Sequence, residues 1–328
     1  MLNRKKILVL AMYCNQPLFL KQEQFLRDIS YAKDIMDGKH GNVDFYSYTA
    51  SKDDKFHYDK KLHRMCVPCD DTLDGTFDKT KKALMLLDAL DVEYDYIFRT
   101  NCSTFVNVSL LEKFVNGIPE DKSNVIYGST VYSSDGCGPE LYDFYVPGNS
   151  MLISKFWCDV IRDADIEYYK QFDRTPNKDK KSYYCVDDNT IGFICNIYAE
   201  QHNICKYDIW GNYNGIPHIK VDMISADFVD HIVVPVRIYE GDREHEFYIH
   251  RAVKELFTES EYMKLNDLEV FNELTKKNRY LLFDFGKPTL LIESYEVIRS
   301  FVDYREKYNY NCENFISEIL RRTGRIVV

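Results

Sequence analysis

The chain has 328 residues, of which 45% are hydrophobic and 29% are charged. This composition is typical of a folded globular protein and excludes a disordered one, and the length suffices for one large α/β domain or two modest ones. The formal net charge of −10 argues against a general nucleic-acid-binding protein, which needs a basic surface to displace counterions.

Strand and helix patterns alternate along the first 257 residues, which predicts an α/β fold with a mostly parallel sheet flanked by helices. In chain order we expect a strand at 7–13, a helix at 19–35, strands at 43–48 and 96–98 with a helix at 78–90 between them, a helix at 110–114, strands at 125–127 and 146–154, a helix at 156–164, strands at 203–210 and 232–239, and a helix at 242–257. The remaining residues, 258–328, have a helical and charged pattern. We expect them to form a mainly helical extension packed on the domain formed by residues 1–257.

Ten cysteines are scattered along the chain and do not have the spacing of a disulfide framework. Cys66 and Cys69 form a Cys-x-x-Cys motif, but no second pair stands at the spacing of a zinc site. The apolar run at residues 7–12 is too short to cross a membrane and lacks a small-residue cleavage site. We therefore expect a soluble, reduced, cytoplasmic protein without a membrane anchor and without a nucleic-acid partner.

Polar residues that follow strands carry the functional signal, because ligands of open parallel sheets bind at the carboxyl ends of the strands. One such cluster is Arg99-Thr100-Asn101-Cys102-Ser103, directly after the strand at 96–98. A second is Gly148-Asn149 inside the strand predicted at 146–154, and a third is Asp187-Asp188, directly before an apolar run.

The order and spacing of these clusters resemble the GT-A glycosyltransferase fold, and within it the β-1,3-galactosyltransferase and fringe group. The matching motifs, which span about residues 5–255, are a helix bearing Lys79-Thr80, the strand 94–98, Phe105-Val106-Asn107, the glycine-bearing segment 147–154 and the Asp187-Asp188 pair. The resemblance implies a hexosyl- or pentosyltransferase that moves a sugar from a nucleotide-sugar, expected to be a UDP-sugar, to a hydroxyl of a glycan or glycoconjugate. It also implies inversion at the transferred sugar.

The sequence departs from this group at its metal-binding Asp-x-Asp triplet, where it has Asn101-Cys102-Ser103. Carboxylates hold Mg²⁺ or Mn²⁺ against a diphosphate, whereas Asn and Ser offer neutral oxygens. We therefore expect no metal cofactor; were Mn²⁺ or Mg²⁺ bound, Ser103 and His250 are the expected ligands. Either basic side chains replace the metal, or the chain is a catalytically inactive glycan- or nucleotide-sugar-binding protein on the same fold.

Cations near the predicted cleft are the candidates for neutralising the diphosphate, since arginine binds phosphate oxygens in a bidentate manner. The predicted donor-binding residues are Arg99, Asn101, Ser103, Lys181, Arg237 and Arg243.

The catalytic base is predicted to be Asp187 or Asp188, because transfer with inversion needs a carboxylate to accept the proton of the acceptor hydroxyl. The same residues also suit the first positions of a helix, where short polar side chains cap free backbone N–H groups.

The remaining predicted contacts follow from the positions of residues in the fold. Gly148 and Asn149 are predicted to approach the acceptor or the sugar, with a β-bulge as the competing explanation of the glycine. By analogy with the fold alone, we expect the nucleoside near Tyr13, Asn15, Asp70 and Asp71.

Overall fold

The computed structural model describes residues 4–28, 30–128, 132–133, 144–146, 148, 150–172, 187–205, 208–212, 216–219, 235–238, 280–284 and 287–291. Its strands are β1 (Ile7–Met12), β2 (Val43–Ala50), β3 (His57–Asp59), β4 (Arg64–Val67), β5 (Tyr96–Asn101), β6 (Phe105–Val106), β7 (Ile126–Gly128), β8 (Tyr132–Ser133), β9 (Phe144–Tyr145), β10 (Ser150–Ser154), β11 (Trp210–Asn212), β12 (Ile216–Ile219), β13 (Pro235–Ile238), β14 (Tyr280–Asp284) and β15 (Lys287–Leu291). Its α-helices are α1 (Pro17–Asp28), α2 (Tyr31–Met36), α3 (Thr76–Ala89), α4 (Val108–Gly117), α5 (Lys155–Asp163), α6 (Ile166–Lys170) and α7 (Asp187–Gln201). Short 3₁₀ helices occupy Leu73–Gly75 and Glu120–Lys122.

The main sheet has eight strands in the order β11-β7-β10-β5-β1-β2-β4-β3. Strands β10 and β3 run antiparallel to their neighbours, and the other six strands run parallel. This arrangement confirms the predicted α/β fold with a mostly parallel sheet and flanking helices. The second sheet, β12-β13-β6, is small and joins the segment after β5 to a strand from much later in the chain.

The central strands are buried on both faces, which explains their uninterrupted apolar sequences. Residues 7–11 of β1 are all buried. On one face, Leu10, Tyr48 and Ile97 belong to the core cluster that also contains apolar residues of α3, α5 and α7. On the other face, the ring of Phe45 in β2 makes an edge contact with Tyr31 of α2 at 6.1 Å.

The strand predicted at 203–210 is wrong for most of its length, because these residues begin as the end of a helix. Asn203 has a left-handed backbone (φ 56°), and the N–H of Ile204 donates to the carbonyl of Ala199 at 2.8 Å. This is the arrangement with which a left-handed residue terminates an α-helix. The strand itself is shorter and later, at Trp210–Asn212.

Three other predicted segments differ from the structure or lie outside it. The strand predicted at 146–154 begins only at Ser150, and β9 precedes it. The helix predicted at 242–257 lies outside the described residues. Within the predicted helical extension, the described residues form an antiparallel pair, β14 and β15, with Leu281 opposite Leu290.

A buried ion-pair network ties α1 to the sheet. The side chain of Glu23 is 1% exposed and pairs with Arg27 on the next turn and with Arg64 of β4, whose Nη2 lies 2.5 Å from Glu23 Oε2. The hydroxyl of Ser47 in β2 also donates to Glu23 at 2.8 Å. Burial alone raises the pKa of the Glu23 carboxyl, but the hydrogen bond from Arg64 and the charge of Arg27 outweigh it and lower the pKa.

Replacing Glu23 by Gln is expected to destabilise the protein by about 3 kcal/mol, because two arginines lose the counter-ion that compensates their burial. Urea denaturation measures the effect. The control is Glu93→Gln, which removes the exposed partner of Lys6 and is expected to leave the midpoint unchanged. Because the folded-state pKa of Glu23 is lowered, its contribution is complete above about pH 4.3 and is lost as the pH falls through the folded-state value. A difference between wild type and Glu23→Gln that persisted below that value would contradict this assignment.

Candidate active site

Several polar segments meet at the carboxyl edge of the main sheet, which is where open α/β sheets bind ligands. The loops after β1, β4 and β5 all leave the sheet at this edge, since these strands are parallel. Strand β10 runs in the opposite direction and begins there, with Ser150 opposite Thr100. Helix α7 also begins there, because its first residue contacts β5 and the first residue of α3.

An ion pair between Arg99 and Asp187 lies at the centre of this edge. Arg99 comes from β5 and Asp187 is the first residue of α7, and the two residues are 1% and 4% exposed. Burial disfavours the charged form of Arg99, but the negative charge of Asp187 outweighs this effect and raises the pKa of Arg99. Burial also raises the pKa of the Asp187 carboxyl, against the opposing effect of Arg99. Arg99 thus lies beneath the edge and is compensated there by a carboxylate.

Polar groups from α3 and β2 surround this pair. The backbone N–H of Asp187 donates to the hydroxyl of Thr76 at 3.2 Å, and the hydroxyl of Thr80 donates to Asp187 Oδ2 at 3.4 Å. The hydroxyls of Thr80 and Tyr48 lie 2.8 Å apart, and Tyr48 in turn accepts from Arg99 Nε at 3.3 Å. A continuous hydrogen-bonded chain therefore links β2, β5, α3 and α7.

The two aspartates of the predicted catalytic pair have different surroundings. Asp187 is buried and is bound by Arg99 and by two threonines. Asp188 is only partly buried; its Oδ1 accepts from the N–H of Asn189 at 2.9 Å, and its Oδ2 accepts from the N–H of Gly148 at 3.4 Å. Of the two carboxylates, Asp188 is the one that is partly exposed to solvent.

Gly148 packs directly on the ion pair. A Cβ atom at this position would lie 2.9 Å from Arg99 Nη1 and 3.0 Å from Asp187 Oδ1, so the ends of these side chains would have to shift to accept it. The backbone of residue 148 therefore covers the pair, which gives a packing reason for the glycine in the segment that precedes β10.

A second ion pair joins the loops after β1 and β4. The Nζ atom of Lys79 lies 2.6 Å from Asp71 Oδ1, and Asp71 Oδ2 accepts from the N–H of Asn15 at 2.7 Å. The side-chain amide of Asn15 donates to the carbonyl of Ala50 at 2.9 Å, which connects the end of β2 as well. Two of the four residues predicted to bind the nucleoside, Asn15 and Asp71, belong to this group.

Tyr13 and Asp70 contribute differently to the same region. Tyr13 is 5% exposed, and burial raises the pKa of its hydroxyl. Its backbone carbonyl lies 3.5 Å from Lys79 Nζ and is the group of Tyr13 that contacts this region. Asp70 is exposed, and its backbone carbonyl packs so closely on Gly75 that no Cβ atom would fit there.

The Asn101-Cys102-Ser103 segment forms a turn with its own internal hydrogen bonds. Asn101 Oδ1 accepts from the hydroxyls of Ser103 at 2.8 Å and of Thr104 at 3.0 Å, and Cys102 is buried. An amide and two hydroxyls that bond one another do not fit the hard anionic donor set that Mn²⁺ or Mg²⁺ requires. Within the described residues, no group of three or more His, Cys, Asp or Glu side chains is placed to hold a metal ion.

The other predicted site residues are placed only in part. Lys181, Arg243, His250 and Asn149 lie outside the described residues. Arg237 belongs to β13, which pairs antiparallel with β6 so that Pro235 lies opposite Val106 and Val236 opposite Phe105. This register places the backbone of Arg237 next to the end of the turn that starts at Asn101.

Sequence reasoning gave Lys79, Tyr48 and Thr76 no role at this edge, although Lys79 belongs to one of the matching motifs. By its spacing Lys79 lies off the apolar face formed by Ala83, Leu84 and Leu87, which favours an exposed lysine, yet Lys79 is 2% exposed. The available signal was the acidic pair Asp70-Asp71 eight to nine residues before it, since a buried lysine needs a counter-ion.

The Cys66-x-x-Cys69 motif does not form a reactive pair in the structure. Cys69 packs against the core on the α3 face of the sheet, and burial raises its pKa to about 11. Burial also raises the pKa of the Cys66 thiol, so neither thiol has the lowered pKa of a redox or metal-binding cysteine.

In the part of the chain that the structure covers, we find no helix with the length and apolar character of a membrane span.

Comparison with solved structures gives several likenesses, of which one is described here. No family model and no curated protein matches the chain. A solved structure of a glycosyltransferase involved in the glycosylation of the major capsid of PBCV-1 is similar, with 8% sequence identity and a TM-score of 0.44. The match covers 75% of this chain and 98% of that one.

The substitution Gly148→Ala is expected to destabilise the protein by about 1–3 kcal/mol, because the added Cβ would press on a buried ion pair and force the ends of Arg99 and Asp187 to shift. Chemical denaturation measures the change. The matched control is Gly117→Ala at the end of α4, where an added Cβ would meet no heavy atom within 4 Å. This substitution is expected to leave the stability unchanged or to raise it. Equal stability of the Gly148→Ala protein and wild type would contradict the close approach.

Proposed function

We propose that the protein is a glycosyltransferase that transfers a sugar from a nucleotide-sugar to a hydroxyl of a glycan or glycoconjugate, with Asp188 as the catalytic base. The observation that carries this proposal is the different fate of the two aspartates at the start of α7. Arg99 and two threonines bind Asp187, while Asp188 stays accessible at the carboxyl edge of the sheet.

The chemistry assigned to Asp188 follows from its position. In an inverting transfer, the base accepts the proton of the acceptor hydroxyl while the nucleoside diphosphate leaves from the opposite face of the sugar. A partly exposed carboxylate, held by backbone N–H groups at a helix start, can meet an incoming hydroxyl. The buried Asp187 cannot, since a guanidinium and a hydroxyl already bind its Oδ2.

We assign the nucleoside to the loops joined by Asp71, Lys79 and Asn15. These loops lie at the ends of β1, β2 and β4. In the strand order these strands lie on one side of β5, whereas β10, which follows Gly148, lies on the other. The remaining hydrogen-bonding groups of Asn15 and Asp71 suit the polar edge of a base or a ribose. A UDP-sugar is the donor we propose.

We assign neutralisation of the diphosphate to Arg237, with Lys181 and Arg243, in an enzyme that works without a metal. Three features support this. The Asn101–Ser103 turn offers only neutral oxygens, and the two cations buried at this edge, Lys79 and Arg99, already pair with carboxylates. The register of β13 against β6 brings Arg237 alongside the turn.

A binding protein without catalysis is the second candidate, and the missing acidic triplet is the observation that favours it. The two candidates differ in one measurable property. An enzyme releases nucleotide from its donor, slowly even without an acceptor, whereas a binding protein retains affinity and releases none.

The substitution Asp188→Asn is expected to lower nucleotide release by at least about 100-fold, because Asn cannot accept the proton. Release is measured against UDP-, GDP- and CDP-sugars, each with EDTA and with Mn²⁺. The control is Asp121→Asn, an exposed residue before β7 at the opposite edge of the sheet, which is expected to have no effect. If wild-type protein binds a donor but releases no nucleotide, the binding-protein candidate is correct.

The substitution Arg237→Ala is expected to weaken UDP binding by about tenfold or more, as expected for the loss of a charge-assisted hydrogen bond to phosphate. Isothermal titration calorimetry with UDP measures this, and Lys113→Ala on the exposed face of α4 is the control. EDTA is expected to leave nucleotide release unchanged. Release that requires Mn²⁺ would contradict a metal-independent mechanism and would assign a metal to Ser103 or His250.

A further inference from the structure

We propose that Arg99 and Asp187 are positioning residues, whose ion pair holds the first turn of α7 so that the carboxylate of Asp188 faces the acceptor. This inference rests on the proposed function, and it assigns Asp187 a task other than proton transfer.

The geometry fixes Asp187 from several sides. Its carboxylate pairs with Arg99 of β5 and accepts from Thr80 of α3, and its backbone N–H donates to Thr76 at the start of α3. The backbone at Gly148 packs on the pair from a further direction. The first residue of α7 is therefore attached to the sheet, to α3 and to the segment before β10.

The position of Asp188 depends on this attachment, because one peptide unit joins Asp188 to Asp187. Its carboxylate in turn accepts from the N–H of Gly148, the same residue that covers the pair. A shift of the pair would move both neighbours of Asp188 together. Displacements of about 1 Å at a reacting group are sufficient to cost about 100-fold in rate.

Stability gives a weak reason for a buried ion pair at this position. Well-packed apolar residues of similar volume are often as stabilising as a buried pair or more so, since the pair must overcome the cost of removing two charges from water. The pair does, however, impose a direction, because the planar guanidinium donates along fixed N–H bonds. Here those bonds run to Asp187 and to the Tyr48 hydroxyl.

A double-mutant cycle with Arg99→Met and Asp187→Leu tests the proposal, with urea denaturation and the kinetics of nucleotide release as its two readouts. Each single substitution leaves a buried charge without its partner and is expected to lower the denaturation midpoint strongly. The double substitution removes both charges and is expected to restore most of the midpoint. Its kcat is expected to stay about 100-fold below wild type, with KM for the donor changed by less than about threefold.

Two further variants keep the test decisive if a single variant fails to fold. Arg99→Lys retains the charge without the planar donor arrangement and is expected to fold with a kcat reduced about tenfold. Glu23→Gln weakens a buried ion pair on the other face of the sheet and is expected to lower the midpoint with kcat within about twofold of wild type.

The outcomes separate this proposal from the proposed function. If the double variant regains both stability and wild-type kcat, the pair is purely structural and the proposal is wrong. If the double variant loses the rise of kcat/KM with pH that reports ionisation of the base, while Asp188→Asn keeps it, Asp187 is itself the base and the proposal is also wrong. If wild-type protein releases no nucleotide from any donor, the proposed function fails, and the positioning role fails with it.

Discussion

The buried contact between Arg99 and Asp187 is the interaction on which the rest of the site depends. A charge in the core of a sheet is tolerated only with a partner, and the partner is supplied by a helix more than eighty residues further along the chain. That requirement brings the start of α7 to the carboxyl edge. The threonines of α3, the hydroxyl of Tyr48 and the close backbone at Gly148 then complete the surroundings that two buried charges need.

The polar groups at this edge are of two kinds. One kind is internally satisfied: Arg99 with Asp187, Lys79 with Asp71, and Asn101 with Ser103 and Thr104. Such groups set the shapes of loops and do not carry net charge towards a ligand. Groups of the second kind are partly exposed to solvent, and Asp188 is the clearest example. The proton transfer that we propose for Asp188 would take place among fixed dipoles, which is the arrangement that electrostatic preorganisation requires.

The sequence was sufficient to predict the α/β class, the buried first strand and the meeting of polar segments at one edge, because each follows from local patterns and from the geometry of parallel strands. It did not predict which of the two aspartates is buried. That depends on the register between β5 and α7, a long-range relation that spacing along the chain does not encode. Arg99 showed the same difficulty: its position at a strand end predicts an exposed phosphate-binding group, whereas its side chain lies on the face covered by α3 and α7. Similarly, Lys79 lies off the apolar stripe of its helix and is nonetheless buried, since Asp71 offsets its charge.

The most direct test of glycosyl transfer at this edge is a crystal structure of the protein with UDP, determined once with EDTA and once with Mn²⁺. We expect the same nucleotide position in both, with the diphosphate against the Asn101–Ser103 turn, the base beside Asn15 and Asp71, and Asp188 facing the space beyond the diphosphate. Nucleotide bound elsewhere on the protein, or a Mn²⁺ ion bridging the diphosphate to Ser103, would contradict this account of the site.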